Sequence, residues 1–271
     1  MSVDFSIPPV RVRAIFEATV VERTRLSATM LRLTFSSEQF IGLADVMCTD
    51  TYVKLILPDP TEPTRDVMRS YTIRACDPSA GTIDIDFALH GRGGVAAVWA
   101  SNAAVGDRAV FKGMGGGYIP APHAPWHLMI GDDSALPAIA AALETLNEHA
   151  DVEIIVVAED PHELLGEDRR ALASVAGSGM RPDVRVVSST EEVLALIDAA
   201  YERNTIPHAF VHGEAGMVRA VRKQLRTVHA MPMSALSISG YWREGATDEQ
   251  WREAKSAWKQ TVLDDERAVS A

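Results

Sequence analysis

A period-two pattern opens the chain. Val10, Val12, Ala14, Phe16, Ala18 and Val20 fall on one face of residues 10–22, and such alternation predicts a strand buried on one side. Met30, Leu31, Leu33 and Phe35 form a second run, and Tyr52–Leu57 a third that stops at Pro58. Residues 69–75 and 82–90 read as two strands joined by the turn Asp77-Pro78-Ser79-Ala80-Gly81, where proline presets φ and glycine admits positive φ. Arg108–Lys112 adds another short run. About six short strands at this spacing predict a closed antiparallel barrel. Val95–Asn102, behind a glycine cluster, reads as a helix with Trp99 in the core.

The period changes after the proline-rich stretch Tyr118–Pro125, which reads as a linker. Trp126–Ile130 is a short apolar strand, and Leu136, Ile139, Ala140, Leu143 and Leu146 then recur at helical spacing. The alternation continues with strands at Glu153–Ala158, Val184–Val187, Ala209–His212 and Ala235–Ser239. Helices are predicted near Asp168–Ala176 and over Glu191–Tyr201, Ala215–Val228 and Asp248–Trp258, with a mobile tail at Asp264–Ala271. Strand–helix alternation predicts a parallel sheet covered on both faces, with ligands at the carboxyl ends of its strands. The expected division is a barrel domain over 1–122, an α/β domain over 123–240 and a C-terminal segment over 241–271.

Composition narrows the function classes. The chain has 271 residues, 47% hydrophobic and 23% charged, which suits a soluble globular protein. No apolar run approaches the roughly 20 residues of a membrane span. The N-terminus has neither a basic n-region nor an apolar h-region, so no signal peptide is expected. Cys48 and Cys76 are the only cysteines, too few for a disulfide framework or for the ligands of an ordinary iron–sulfur cluster. A reduced, cytoplasmic setting follows. The net charge of −11 argues against a nucleic-acid surface. There is no G-x-S-x-G, P-loop, H-E-x-x-H or zinc spacing, so hydrolase and metal-centre chemistry find no support, and no residue is assigned a catalytic role.

The chemistry concentrates in Arg69-Ser70-Tyr71-Thr72 and in Asp84–Gly94, D-I-D-F-A-L-H-G-R-G-G. An arginine, two hydroxyls and an aromatic ring can clamp a phosphate and stack on a flat heterocycle. A strand running through glycines into a helix presents free N–H groups to an anion. Each residue also has a plainer reading: Tyr71 as strand packing, His90 as a structural hydrogen bonder, Lys54 as a snorkelling surface lysine. The ordered set R-S-Y-T, D-F-A-L-H-G, G-D-R-A-V-F-K-G-M-G-G-G, G-D-D-S-A-L-P and G-Y-W-R, from about Val10 to Trp251, resembles the siderophore-interacting protein family. That family comprises FAD-dependent ferric-siderophore reductases of the ferredoxin–NADP reductase superfamily.

The resemblance implies a six-stranded FAD-binding barrel followed by an NAD(P)H-binding α/β domain. It implies cofactor contacts by Arg69, Ser70, Tyr71, Thr72, Asp86, Phe87, Leu89, His90, Gly91, Gly93, Gly94, Val95 and Trp242. It places Lys54 and Arg243 at the siderophore pocket, although Tyr52 stands where the family carries histidine. Trp242 and Arg243 have a second reading, since G-Y-W-R can simply staple the C-terminal helix. In the superfamily the turn after the first α/β strand approaches the nicotinamide nucleotide, which here means Gly131, Asp132, Ser134, Ala135 and Pro137. Asp132 and Asp133 would repel phosphates and also suit helix N-capping. Glu159 suits a ribose 2′-hydroxyl and leans toward NADH, while Arg169 and Arg170 leave NADPH open. The implied activity moves electrons from NAD(P)H through FAD to a ferric siderophore, releasing Fe(II). Two alternatives stand beside it: a flavin-containing carrier that does not turn the siderophore over, and a reductase fed by ferredoxin.

Overall fold

The computed structural model describes residues 4–43, 48–62, 64–89, 94–158 and 182–270. The expected helix at 168–176, together with His90, Gly91, Gly93, Glu159, Arg169 and Arg170, lies outside the described residues. The chain forms two compact units. One comprises Ile7–Ile119 with Pro137–Leu143; the other comprises Pro120–Leu136 and Glu144–Ala271 with the N-terminal residues up to Ser6.

The first unit is antiparallel. Its strands are β1 (Val10–Arg25), β2 (Met30–Ser36), β3 (Tyr52–Pro58), β4 (Asp66–Thr72), β5 (Ala75–Asp77), β6 (Thr82–Ala88) and β7 (Arg108–Gly116), with helix α1 at Val95–Asn102. They form a seven-stranded sheet in the order β4-β3-β7-β1-β2-β6-β5. This corrects the expected six-stranded closed barrel: the sheet is barrel-like but open, with edges at β4 and β5. The extra strand arises because the run expected as one strand over 69–75 divides between β4 and β5. Ile73 still bonds on the β3 side, its N–H to the Thr51 carbonyl at 2.7 Å, and at Arg74 the backbone turns to β6, the Arg74 N–H bonded to the Asp84 carbonyl at 2.8 Å. R-S-Y-T therefore pairs with β3, and the hairpin onto β6 starts only at Ala75. The turn of that hairpin is as expected. The Asp77 carboxylate accepts from the Ser79 and Ala80 N–H groups, and Gly81 takes φ +65°.

Alternation along β1 puts Phe16, Ala18 and Val20 inside, with Leu31, Leu33 and Phe35 from β2. Val53, Leu55, Ile83, Ile85, Phe87 and Phe111 complete this core. Trp99 packs against it, stacked on Phe35 at 6.3 Å.

The second unit carries β8 (His127–Gly131), α2 (Leu136–Thr145), β9 (Val152–Val157), β10 (Asp183–Val187), α3 (Thr190–Ala200), β11 (His208–Glu214), α4 (Ala215–Thr227), β12 (Leu236–Trp242) and α5 (Asp248–Ser270). The five strands are parallel, in the order β10-β9-β8-β11-β12. The near-continuous apolar stretches of β8, β9 and β11 suit strands buried on both faces. Helix α5 runs through the stretch expected as a mobile tail. Arg252–Asp248, Gln260–Asp264 and Arg267–Asp264 pair at helical spacing along it. Among the described residues, no helix is long and apolar enough to cross a membrane.

Candidate functional site

Strand β4 is the edge on which the first candidate residues stand. The β3–β4 register opposes Tyr52 to Thr72, Val53 to Tyr71, Lys54 to Ser70 and Leu55 to Arg69. Directly opposed residues share a face. Ser70 and Thr72 therefore share a face with Tyr52 and Lys54, while Arg69 and Tyr71 share one with buried Val53 and Leu55. Ser70 is exposed, Thr72 is buried, and Arg69 is half-buried with Nη1 donating to the Met68 carbonyl at 3.0 Å. The Tyr71 ring packs on Phe87, centroids 4.5 Å apart, and stays half-exposed. The packing reading of Tyr71 thus describes one part of its surface, and the rest is partly solvent-accessible.

Helix α1 supplies an anion-compatible end. Gly94 is its N-cap, exposed and with no side chain to cap the first-turn N–H groups. Among the described residues, a Cβ built on Gly94 meets nothing within 4 Å, and the first-turn N–H groups of α1 are the kind of donors an anion uses. Val95 and Leu89 are half-buried against the antiparallel core. Asp86 is 8% exposed, and Arg32 grips its carboxylate bidentately, Nε at 2.6 Å and Nη2 at 2.9 Å. Phe87 is fully buried. The side chains of Asp86 and Phe87 are thus occupied within the sheet, and any cofactor contact at these positions falls to their neighbours or to backbone.

Lys54 has a companion that the motifs did not reveal. In β7 the register slips at Gly113: Val53 opposes Met114, but Lys54 opposes Lys112. Gly113 is the extra residue of a bulge, at φ +64°, and a Cβ there would lie 3.0 Å from the Val12 carbonyl oxygen. Continuing the register past Met114 without the bulge would set Lys112 opposite buried Leu55. With it, exposed Lys112 faces half-buried Lys54. Beside them the Tyr52 ring lies over Gly115, where an added Cβ would come within 2.7 Å of the phenol oxygen. Alternation marks Lys112 as polar-facing, but only the long-range register tells which strand it meets.

In the parallel unit, the turn after β8 is organised by Asp132, which is 9% exposed. Its Oδ1 accepts from the Ser134 N–H at 3.0 Å and from the Ser134 hydroxyl. Its Oδ2 accepts from the Glu214 N–H at 2.7 Å and from the Trp242 indole N–H at 2.8 Å. Burial pushes its pKa up, while these four donors pull the other way by favouring the carboxylate. Gly131, Ala135 and Pro137 are buried, and Ser134 is half-buried. One carboxylate thus joins the ends of β8, β11 and β12. The capping role expected for Asp132 is present in its bonds to Ser134, but it reaches 110 residues further to Trp242. Trp242 remains 44% exposed with its N–H committed to Asp132. Tyr241 meets His212 edge-on at 4.9 Å, and Arg243 is exposed.

Comparison with known proteins agrees with this architecture. The family model described as siderophore-interacting protein matches residues 124–245. The model of the siderophore-interacting FAD-binding domain matches residues 19–67 and 60–118. An uncharacterized protein of Mycobacterium tuberculosis is 33% identical, over 91% of this chain and 95% of its own. The ferric vibriobactin reductase ViuB of Vibrio cholerae is 28% identical, over 91% of this chain and 94% of its own. The crystal structure of the siderophore-interacting protein SipS from Aeromonas hydrophila superposes with a TM-score of 0.71 at 28% identity, covering 92% of this chain and 99% of that one. With both units matched in order, by models and by relatives that span nearly the whole length, the chain belongs to the siderophore-interacting protein family.

Proposed function

We propose that this protein is an FAD-dependent reductase that releases iron from ferric siderophores. The observation that carries the reading is the β3–β4–β7 register, which sets Ser70 and Thr72 of R-S-Y-T on the same face as Lys54 and Lys112. Arg69 and the uncapped start of α1 suit the FAD pyrophosphate, and the open part of Tyr71 suits its ring systems. Bound FAD supplies the exchange between a two-electron donor and a one-electron acceptor such as Fe(III). Lys54 and Lys112 supply positive charge for an anionic ferric chelate. An acidic protein needs such local charge to receive an anion. The role of the reductase in ViuB supports the same activity here. The electron donor in this reading is a reduced nicotinamide nucleotide.

The test is steady-state iron release under anaerobic conditions, with Fe(II) captured by a colorimetric chelator. FAD-loaded protein with a reduced donor should release iron from a ferric siderophore. Tight siderophore binding without release would identify a carrier instead.

A further inference from the structure

Tyr52, Lys54, Lys112 and Ile15 stand together on the face of the antiparallel sheet opposite buried Val53 and Leu55. Tyr52 and Lys54 are two apart on β3, so their side chains leave the strand on the same side. Lys112 faces Lys54 across β3–β7 and Ile15 across β1–β7. Two apolar side chains thus border two cations, and both are open: Tyr52 is 38% exposed and Ile15 49%.

The Tyr52 ring is seated on the neighbouring strand. Tyr52 opposes Gly115 in β7, and a Cβ at Gly115 would lie 2.7 Å from the phenol oxygen, 2.8 Å from Cζ and 2.9 Å from Cε1. No side chain carbon fits at that range, so the ring rests there because position 115 is glycine. Gly115 is not among the positive-φ glycines. Its backbone conformation does not call for glycine; the close approach of the ring does. The product is an aromatic shelf held against backbone, beside two opposed lysines.

Such a shelf offers a stacking surface that an aliphatic ligand cannot use, and the lysines attract in proportion to a ligand's negative charge. Ferric chelates differ in both respects. Three catecholates, each a dianion, surround Fe(III) with three aryl rings and leave a trianion. Three hydroxamates, each a monoanion, leave a neutral and largely aliphatic complex. We infer that Tyr52 is a specificity-determining residue: its ring, seated on Gly115, takes an aryl ring of a catecholate chelate whose charge Lys54 and Lys112 hold. The substrate class is then the aryl, polyanionic ferric siderophores in preference to the neutral aliphatic ones. This rests on the docking of a ferric siderophore beside Lys54 and Lys112, as proposed above, and narrows its class. The plainer role of Tyr52, covering the Gly115 backbone, gives no preference between chelates.

The test is calorimetry on the FAD-loaded full chain with gallium(III) chelates, which carry the charge of the ferric ones and accept no electron. The probes are a hexadentate tris-catecholamide and a neutral cyclic trihydroxamate. The unaltered protein should bind the tris-catecholamide at least about tenfold more tightly. Tyr52→Leu should cut that preference about fivefold, the worth of a lost aromatic contact. The cut should be the same at low and high salt, because stacking is not screened as charge is. Gly115→Ala, which unseats the ring, should act like Tyr52→Leu, and Tyr52→Phe, which keeps the ring, should retain the preference. Equal affinity for the two chelates, a preference that survives Tyr52→Leu and Gly115→Ala, or one lost in Tyr52→Phe would overturn the inference. Loss of FAD from Tyr52→Leu would overturn it too, by placing the ring with the cofactor. Iron release from the matching ferric chelates is followed alongside. The expected preference without iron release would support the shelf and mark failure of the reductase reading, whereas release without the preference would overturn the shelf alone.

Discussion

Lys54 and Lys112 stand directly opposite each other across β3 and β7, brought into register by the Gly113 bulge. Two like charges so opposed destabilise a sheet unless an anion lies between or over them. The pair is therefore better explained by what it receives than by what it holds together. Replacing Lys112 with Ala should raise the KM for an anionic ferric siderophore about fivefold, a loss of ~1 kcal/mol typical of an exposed charge pair. Lys54→Ala should act similarly. Reduction of a neutral ferric chelate should be spared, and the difference should shrink at high salt. Equal loss with both chelates, in steady-state kinetics at two salt concentrations, would instead assign the lysines to the flavin or the fold.

Arg69, on β4, is the proposed charge-assisted clamp for FAD. Arg69→Ala should weaken FAD binding by about 1.5–3 kcal/mol, read by fluorescence titration of the apoprotein. An unchanged affinity would remove Arg69 from the cofactor site.

Asp132 should matter for stability. Asp132→Ala leaves the Glu214 N–H and the Trp242 indole N–H without their acceptor. The expected cost is about 1–3 kcal/mol in chemical denaturation, together with a red shift of Trp242 emission as the indole loses its tether. Unchanged stability and emission would mean that water replaces the carboxylate without loss.

Acid should loosen the parallel unit before it affects the antiparallel one. Burial lowers the pKa of His127 and of His208 to about 4, and the neighbouring His127 and His123 push His208 the same way. The His208 Nδ1 accepts the Ala121 N–H at 3.0 Å, a bond only an unprotonated Nδ1 can make. Because both folded-state values lie below the ordinary histidine value near 6.5, the unfolded chain binds more protons in between. Their stabilising contribution is complete above about pH 6.5 and is lost as pH falls toward the folded-state values. His208→Asn, whose amide oxygen can still accept the Ala121 N–H, should flatten this dependence in denaturation curves taken across that window. An unchanged slope would contradict the assignment.

Much of this was legible in the sequence because local pattern carried it. Alternation in β1 and β2 marked the buried set, and the change to helical spacing after Pro125 marked the parallel unit. The failures in the sheets and their turns share one cause: pairing over long sequence separation. R-S-Y-T looked like half of a hairpin with residues 82–90, yet it bonds to β3, and a seventh strand begins at Ala75. Lys112 looked like an ordinary polar strand residue until a one-residue bulge set it beside Lys54. Asp132 reads as a local cap, and its partner Trp242 lies 110 positions on, at the end of β12. Position alone suggests a mobile C-terminal tail, whereas its spaced charges and amides support a helix through Ser270.

The most direct test of the account is a single turnover. The FAD-loaded protein is photoreduced without oxygen and mixed with a ferric siderophore while flavin absorbance and trapped Fe(II) are followed together. The expected result is rapid flavin reoxidation matched by about two ferrous ions per flavin, as one-electron acceptors of a two-electron carrier require. A siderophore that binds while the flavin stays reduced and no Fe(II) appears would contradict the reductase function.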